Sequence, residues 1–382
     1  MASTDPVDRV ILTHLQIPLK EPFRIAGGQV SVKDAILVTL ETASGIGQGE
    51  SSPMAASFGY SHDTPQGCWE DLANEIAPSL LGVSVSSPEE IAERAQRWRG
   101  SRFASAGAEN ALWDLLGQAQ HAPIAQLLGA VDEQIRLGVP SGLAVGLYPS
   151  TVDLLHAIET HLVEGYRRVK IKIEPGRDVE LVRAVRQHFG EIDLMVDANG
   201  AYSIADLETF RELDDHDLLM LEQPFAIDDI DGLAALQQQV ATPVCIDETA
   251  ETHGRTEEAI RRGACRIVNL KIQRVGGLGP ARAMHDLCQE RGIACWVGSM
   301  PELGIGQAYG IHLATLSNCK YPTDVEPSAR WFVDDYVMPP LELSEPGLFS
   351  VPDRSGLGFQ VDPQKLRRYL LRQQVFARRI SG

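Results

Sequence analysis

No apolar stretch in the 382 residues approaches the ~20 that a membrane-spanning helix needs, so no such helix is expected. The opening MASTDPVDRVILTHL has no basic segment leading into an apolar core, and no signal peptide is expected. Bases are in deficit: 34 Lys and Arg face 52 Asp and Glu, a formal charge of −18. Such a surface argues against nucleic acid and anionic membranes as partners. It still allows a small anionic substrate, because a local cation cluster overrides the global field. Cysteine is sparse, and the six (Cys68, Cys245, Cys265, Cys288, Cys295, Cys319) include no CxxC pair. Reduced, mostly buried thiols in a cytoplasmic protein are expected. There is no GK[ST], so Gly276-Gly277 and Gly304-Ile305-Gly306 are not P-loops. They read as strand-to-helix turns whose helix N-termini could also meet a carboxylate or phosphate. The histidines show no HxH or HExxH spacing and read as surface or core residues.

Apolar residues make up 44% and charged residues 23%, as in an ordinary globular protein. Residues 1–130 read as an α+β unit. Val10 to Pro18 alternates as a strand, and Ala35 to Thr42 with Gly47 to Ser51 reads as a hairpin. Helical spacing follows at Pro88 to Arg99 and Gly107 to Gly117. From 131 to 325 the grammar changes to strand–helix repeats. Strands at Arg168 to Ile173, Leu194 to Ala198, Leu218 to Glu222, Val244 to Asp247, Arg266 to Lys271 and Ala294 to Gly298 each lead into an amphipathic helix. A last strand is expected near Tyr321 to Val325. The repeat favours a closed parallel (β/α) barrel over a doubly wound open sheet. The Pro- and Gly-rich residues 326–382 read as a segment returning to the first unit, ending in a basic helix pattern at Lys365 to Arg379.

Ionisable residues stand at the strand ends. Lys172, Asp197, Glu222, Asp247 and Lys271 follow one another at steps of 25, 25, 25 and 24 residues, each one β-α unit. All five are therefore expected at equivalent places around one mouth of the barrel. Three carboxylates sharing a pocket repel one another unless a cation neutralises them. Oxygen ligands without Cys or His suit a hard ion, Mg²⁺ first and Mn²⁺ next. Asn199 shares the strand face of Asp197 and is expected to orient the site. Glu248 follows Asp247, points the other way if the strand continues, and reads as supporting or structural.

Lys172 and Lys271 flank the carboxylates in sequence and so fall on opposite sides of the ion. Lys170 shares a face with Lys172, and a like charge plus a metal cation should lower a lysine's pKa towards neutrality. A proton next to a carboxylate is very weakly acidic. Removing it requires stabilisation of an enediolate, which a divalent ion would supply while the two lysines take and return the proton.

The segments VKIKIEP (169–175), VDANGAY (196–202), EQP (222–224), IDET (246–249) and NLKIQRVGG (269–277) resemble the enolase superfamily, specifically its muconate-lactonising-enzyme subgroup. Within that subgroup the wording is most similar to the o-succinylbenzoate synthase and N-acylamino acid racemase branch. The resemblance implies a (β/α)7β TIM-like barrel with an α+β N-terminal capping domain. It also implies metal ligands Asp197, Glu222 and Asp247, and acid/base residues Lys172 and Lys271 with Lys170 beside them. Ser299 and Met300 stand where that family binds substrate. The seventh strand ends Val297-Gly298-Ser299-Met300 without the His of the mandelate-racemase branch. Dipeptide epimerases tend to carry DxD near the last strand, where this chain has only Asp324-Val325-Glu326, and both departures count against those branches. The cap loops Arg24 to Gln29 and Ser52 to His62 match the synthase/racemase pattern poorly. The expected activity is metal-dependent α-proton abstraction from a small-molecule carboxylate, in a homo-oligomer. Muconate cycloisomerase or dipeptide epimerase is the alternative within the subgroup. A Schiff-base aldolase using Lys172 or Lys271, or a catalytically silent barrel, is the alternative outside it.

Overall fold

The computed structural model describes residues 2–25, 28–55 and 61–378. Strands β1 (Arg9–Ile25), β2 (Gly28–Glu41) and β3 (Ile46–Ser51) form an antiparallel sheet, with β2 and β3 joined through the Thr42–Gly45 turn. Helix α1 (Arg102–Ala119) starts where the Ser101 hydroxyl accepts from the Ala104 N–H, and packs on β3. The two backbones meet so closely that a Cβ on Gly49 would fall 1.9 Å from the Gly107 carbonyl oxygen.

Seven parallel strands follow in sequential order: β4 (Leu143–Val145), β5 (Val169–Lys172), β6 (Leu194–Asp197), β7 (Leu221–Glu222), β8 (Val244–Ile246), β9 (Ile267–Leu270) and β10 (Ala294–Val297). Residues 319–325 fill the eighth place without a continuous ladder. Cys319 bridges to Cys295 beside β10, and Thr323 bridges to Ser141 beside β4. The Asp324 N–H donates to Val297 and the Gly142 N–H to Thr323. Both edges of the seven-stranded sheet thus share one neighbour, so the sheet closes into a (β/α)7β barrel and the open doubly wound alternative is excluded. All six cysteines are free; five are buried and Cys319 is half-buried. Among the described residues no helix is long and apolar enough to cross a membrane.

The basic pattern at Lys365 to Arg379 is helical only over Pro363–Tyr369. It then becomes β11 (Leu370–Ala377), antiparallel to β1 from Leu15↔Leu370 to Arg9↔Ala377. Without it, β1 would present an unpaired row of N–H and C=O groups, so ladder bonding overrides the local helical preference.

The first unit is joined to the barrel by two buried carboxylates. Glu50 of β3 accepts from the Leu303 and Gly306 N–H groups (2.8 and 3.0 Å) at the start of α3 (Gly304–Ala314) and from the Tyr336 hydroxyl at 2.6 Å. Glu109 of α1 accepts from the Leu278 and Gly279 N–H groups (2.7 and 2.9 Å) at the start of α2 (Leu278–Glu290). Anions are favoured at such helix ends, where N–H groups have no intrahelical partner. The Gly276-Gly277 and Gly304–Gly306 turns therefore do meet carboxylates, and these belong to the chain itself. A Cβ on Gly277 (φ +139°) would lie 2.5 Å from Glu109 Oε2.

Buried His312 on α3 donates from Nε2 to the Leu357 carbonyl at 3.0 Å, and burial pushes its pKa down to about 4. The unfolded chain, with a histidine near 6.5, takes up the proton first as pH falls. The histidine therefore contributes stability above pH 6.5 that is lost between 6.5 and 4. Urea unfolding is expected to show about 2 kcal/mol less stability at pH 5 than at pH 7.5 from this group. His312→Gln should flatten that part of the profile; an unchanged slope would disprove the assignment.

Candidate active site

The spacing of the charged residues acts through strand register. Lys172 pairs with Asp197, and Asp197 with Glu222, so these three lie level across β5, β6 and β7. The next step departs from the expected equivalence. Glu222 is level with Cys245, two residues before Asp247, and Val268 is level with Ile246, which sets Lys271 beyond the end of β9. A closed barrel needs its strands staggered, and here the stagger falls at β7–β8 and again at β8–β9, two residues each time. Side chains repeat every two residues, so the faces still agree.

Inside the barrel the residues stack in layers. Below lie Met195, Met220, Cys245, Ile267 and Trp296. The Arg168 guanidinium and the Lys170 amine sit over the Trp296 ring at 4.9 and 5.1 Å. Above this layer are the carboxylates, each facing a cation of the chain. Lys170 Nζ is 3.0 Å from Glu222, 2.8 Å from Asp324 and 3.4 Å from Asp197. Lys172 Nζ donates to Asp197 Oδ2 at 2.5 Å and Asn199 Oδ1 at 2.7 Å. Asp247 meets Lys271 Nζ at 3.0 Å and Arg274 Nη1 at 2.7 Å.

Asn199, held at φ +42° just past the strand, also donates from Nδ2 to Glu248 Oε1 at 3.0 Å. Glu248 does not point away, because β8 ends at Ile246 and the backbone turns, with the Ala250 N–H donating to the Asp247 carbonyl. Three further residues belong to the cluster: Asn269, whose Nδ2 donates to Glu222 Oε1 at 2.8 Å, Arg274, and Asp324, which Arg168 also holds at 2.6 Å. Asn269 lies two residues before Lys271, as Lys170 does before Lys172. The same face rule would have found it.

The electrostatics follow from crowding. Burial, then Asp197, Asp247 and Asp324, push Glu222 up to about 8 although Lys170 opposes them. Burial and the neighbouring carboxylates Asp247 and Asp197 push Glu248 far up. Asp197 stays low because Lys172 and Lys170 outweigh its burial. Lys170 is raised: burial lowers it, but Asp324, Glu222 and Asp197 outweigh that effect. Lys271 is lowered by burial and by Arg274.

Lys170, Lys172, Lys271, Asn199, Ser299, Met300 and Asp324 line one cavity of about 70 Å³, and Phe23, Met54 and Trp331 also line it. Ser299 and Met300 are oriented by Glu302, whose Oε2 accepts from the Ser299 hydroxyl at 2.5 Å and the Met300 N–H at 3.1 Å. Of the two cap loops, residues 26–27 and 56–60 lie outside the described residues.

Asp197, Glu222 and Asp247 present only carboxylate oxygens from adjacent strands and are at most 1% exposed. Their mutual repulsion, visible in Glu222, is what a hard divalent cation relieves. Here the chain's own amines and guanidinium face these oxygens, and among the described residues no three Asp, Glu, His or Cys side chains converge on one point.

Models of known families match both parts of the chain. The mandelate racemase/muconate lactonizing enzyme N-terminal domain matches residues 8–129, and the enolase C-terminal domain-like family matches 153–365. The chain belongs to this family of the enolase superfamily and is an enzyme of lyase or isomerase type; such enzymes are generally divalent-metal dependent. It is 40% identical over 373 residues to an o-succinylbenzoate synthase of Geobacillus stearothermophilus (97% of this chain, 98% of the relative). It is 37% identical over 375 residues to an N-succinylamino acid racemase of Thermus thermophilus (97% and 99%). A crystal structure of an enolase-superfamily member from Listeria innocua superposes with a TM-score of 0.91 at 33% identity, covering 97% of this chain and 99% of that one.

Proposed function

We propose that this enzyme removes the α-proton of a carboxylate substrate, as an o-succinylbenzoate synthase, an N-acylamino acid racemase, or both. One observation carries the reading: Lys172 and Lys271, four strands apart in a barrel of eight places, line the same cavity. A substrate carbon held between them is reached by one amine from each side.

Asp197, Glu222 and Asp247 would hold the metal, Mg²⁺ first and Mn²⁺ as a substitute. When bound there, the metal supplies positive charge for the electron density that builds on the substrate carboxylate as the proton leaves. In racemisation one lysine takes the proton and the other returns one to the opposite face. In the synthase reaction Lys172 takes the α-proton and then protonates the departing hydroxyl on the same face, so that water leaves, while Lys271 remains a cation facing the developing charge. Asn199, bonded to Lys172 and to Glu248, sets the direction of the Lys172 amine. Lys170 holds Glu222 and Asp324 in place. The buried free thiols support a reducing, cytoplasmic setting.

Incubation with Mg²⁺ in D₂O against N-succinyl and other N-acylamino acids, with dehydration assayed in parallel, tests the reading. Loss of the α-proton signal by NMR, or formation of the dehydrated aromatic product, is the expected result. Exchange confined to dipeptides would favour an epimerase. Trapping of a lysine adduct by borohydride without metal would favour the aldolase.

A further inference from the structure

Lys271 stands at a weak point of the backbone. It begins a single helical turn (Ile272–Val275), tied to it by the Val275 N–H donating to the Lys271 carbonyl at 3.2 Å. Gly276 then ends the turn in the left-handed region, at φ +99°. One isolated turn has little stability of its own, because few hydrogen bonds offset the ordering of its residues. Arg274 of this turn is tied within the barrel to Asp247 and the Asn269 carbonyl, and Gln273 ties it to the cap.

Gln273, 1% exposed, donates from Nε2 to the Glu50 carbonyl at 2.7 Å and accepts at Oε1 from the Ser52 N–H at 3.0 Å. Its amide thus satisfies both backbone groups of the cap at the end of β3, much as a neighbouring strand would. The same Glu50 uses its carboxylate to cap α3, which follows the Ser299–Glu302 loop. Lys33 Nζ holds the next turn of the cap through the Ser52 and Pro53 carbonyls at 2.8 and 3.0 Å, and Met54 then enters the cavity wall. A continuous set of bonds therefore runs from the cavity wall at Met54, through Ser52 and Gln273, to the turn that carries Lys271. Among the described residues no hydrogen bond from the cap reaches Lys172, whose amine is set by Asp197 and Asn199 within the barrel.

We propose that Gln273 is a positioning residue through which the seated cap sets the place of Lys271, and not of Lys172. The inference rests on the two-lysine reading above, and it makes the two hands of a substrate respond differently. Each lysine serves one hand of an N-succinylamino acid in the first proton transfer, so a fault confined to Lys271 slows one hand.

The test compares initial α-proton exchange in D₂O, with Mg²⁺, for each hand of one N-succinylamino acid in the wild type, Gln273→Met, Gln273→Glu and Lys271→Ala. Lys271→Ala identifies the hand that this lysine serves. Gln273→Met should slow that hand by roughly tenfold or more, the scale of small misplacements of a reacting group, while the other hand stays within about twofold. Gln273→Glu keeps an acceptor for the Ser52 N–H, loses the donor to Glu50, and should shift the hands in the same direction should Gln273→Met fail to fold. Tyr336→Phe, which loosens the other tie on Glu50, should lower Tm and leave the ratio of the hands unchanged. Equal slowing of both hands, or of neither, would overturn the proposal while the two-lysine reading stood. A wild type that exchanges neither hand would overturn the proposal, and one that also forms no dehydrated product would overturn the two-lysine reading with it.

Discussion

Lys172→Ala is expected to lower both dehydration and racemisation by at least about a thousandfold, within the range that a positioned acid/base supplies. The loss should be chemical and not structural. Asp197 keeps Lys170 at 3.4 Å when the Lys172 amine is removed, and Lys172 is half-buried at the cavity, so no tightly packed core is opened. Lys172→Arg separates two roles. A guanidinium retains the charge beside Asp197 but does not give up its proton in this pH range, so activity should stay as low as in the alanine variant. Lys271→Ala offers the contrast: racemisation should be lost, exchange of one hand should persist, and the synthase reaction should suffer less if, as proposed, this lysine serves there as a cation. Circular dichroism and Tm close to the wild type would accompany the Lys172 losses, whereas Lys271, buried and paired with Asp247, should lower Tm when replaced by Ala. Wild-type turnover by Lys172→Ala would remove the base from the mechanism.

Removal of divalent metal should have an effect of similar size. Treatment with EDTA is expected to reduce α-proton exchange to background, with recovery on adding Mg²⁺ or Mn²⁺. A readout independent of turnover follows from the three acids. Metal that binds only the folded protein stabilises it by about 2.7 kcal/mol at a hundred times its Kd, so Tm should rise on titration with Mg²⁺. Asp197→Asn removes one negative oxygen from the donor set and leaves Lys170 and Lys172 facing one carboxylate fewer, so both the rise in Tm and the activity should be lost. Full activity in excess chelator, or in Asp197→Asn, would show that the carboxylates serve the lysines alone.

Much of this site could be read before any coordinates because a β-α unit has a nearly constant length. The 25-residue step from Lys172 to Asp197 to Glu222 is the register of three neighbouring strands, and the pairing is level at each. The same arithmetic misjudged Asp247 and Lys271, since barrel closure displaces one strand along the next by an amount that chain length does not encode. Asp324 was legible only as part of a family motif, because its segment makes isolated bridges in place of a full strand. Arg274 lies in a turn, where no alternation rule says which way a side chain points. The chain end was misread for a different reason. Leu370–Ala377 contains good helix formers, and the unpaired edge of β1, more than 350 residues away, decides its conformation.

The helix-end acids also constrain engineering. Changing substrate preference by transplanting another enzyme's cap would bring foreign residues against α2 and α3. A graft lacking an acid in place of Glu50 or Glu109 would strand two amide donors at each junction. Successful chimaeras should therefore keep both acids native and exchange only the loops outside β3 and α1.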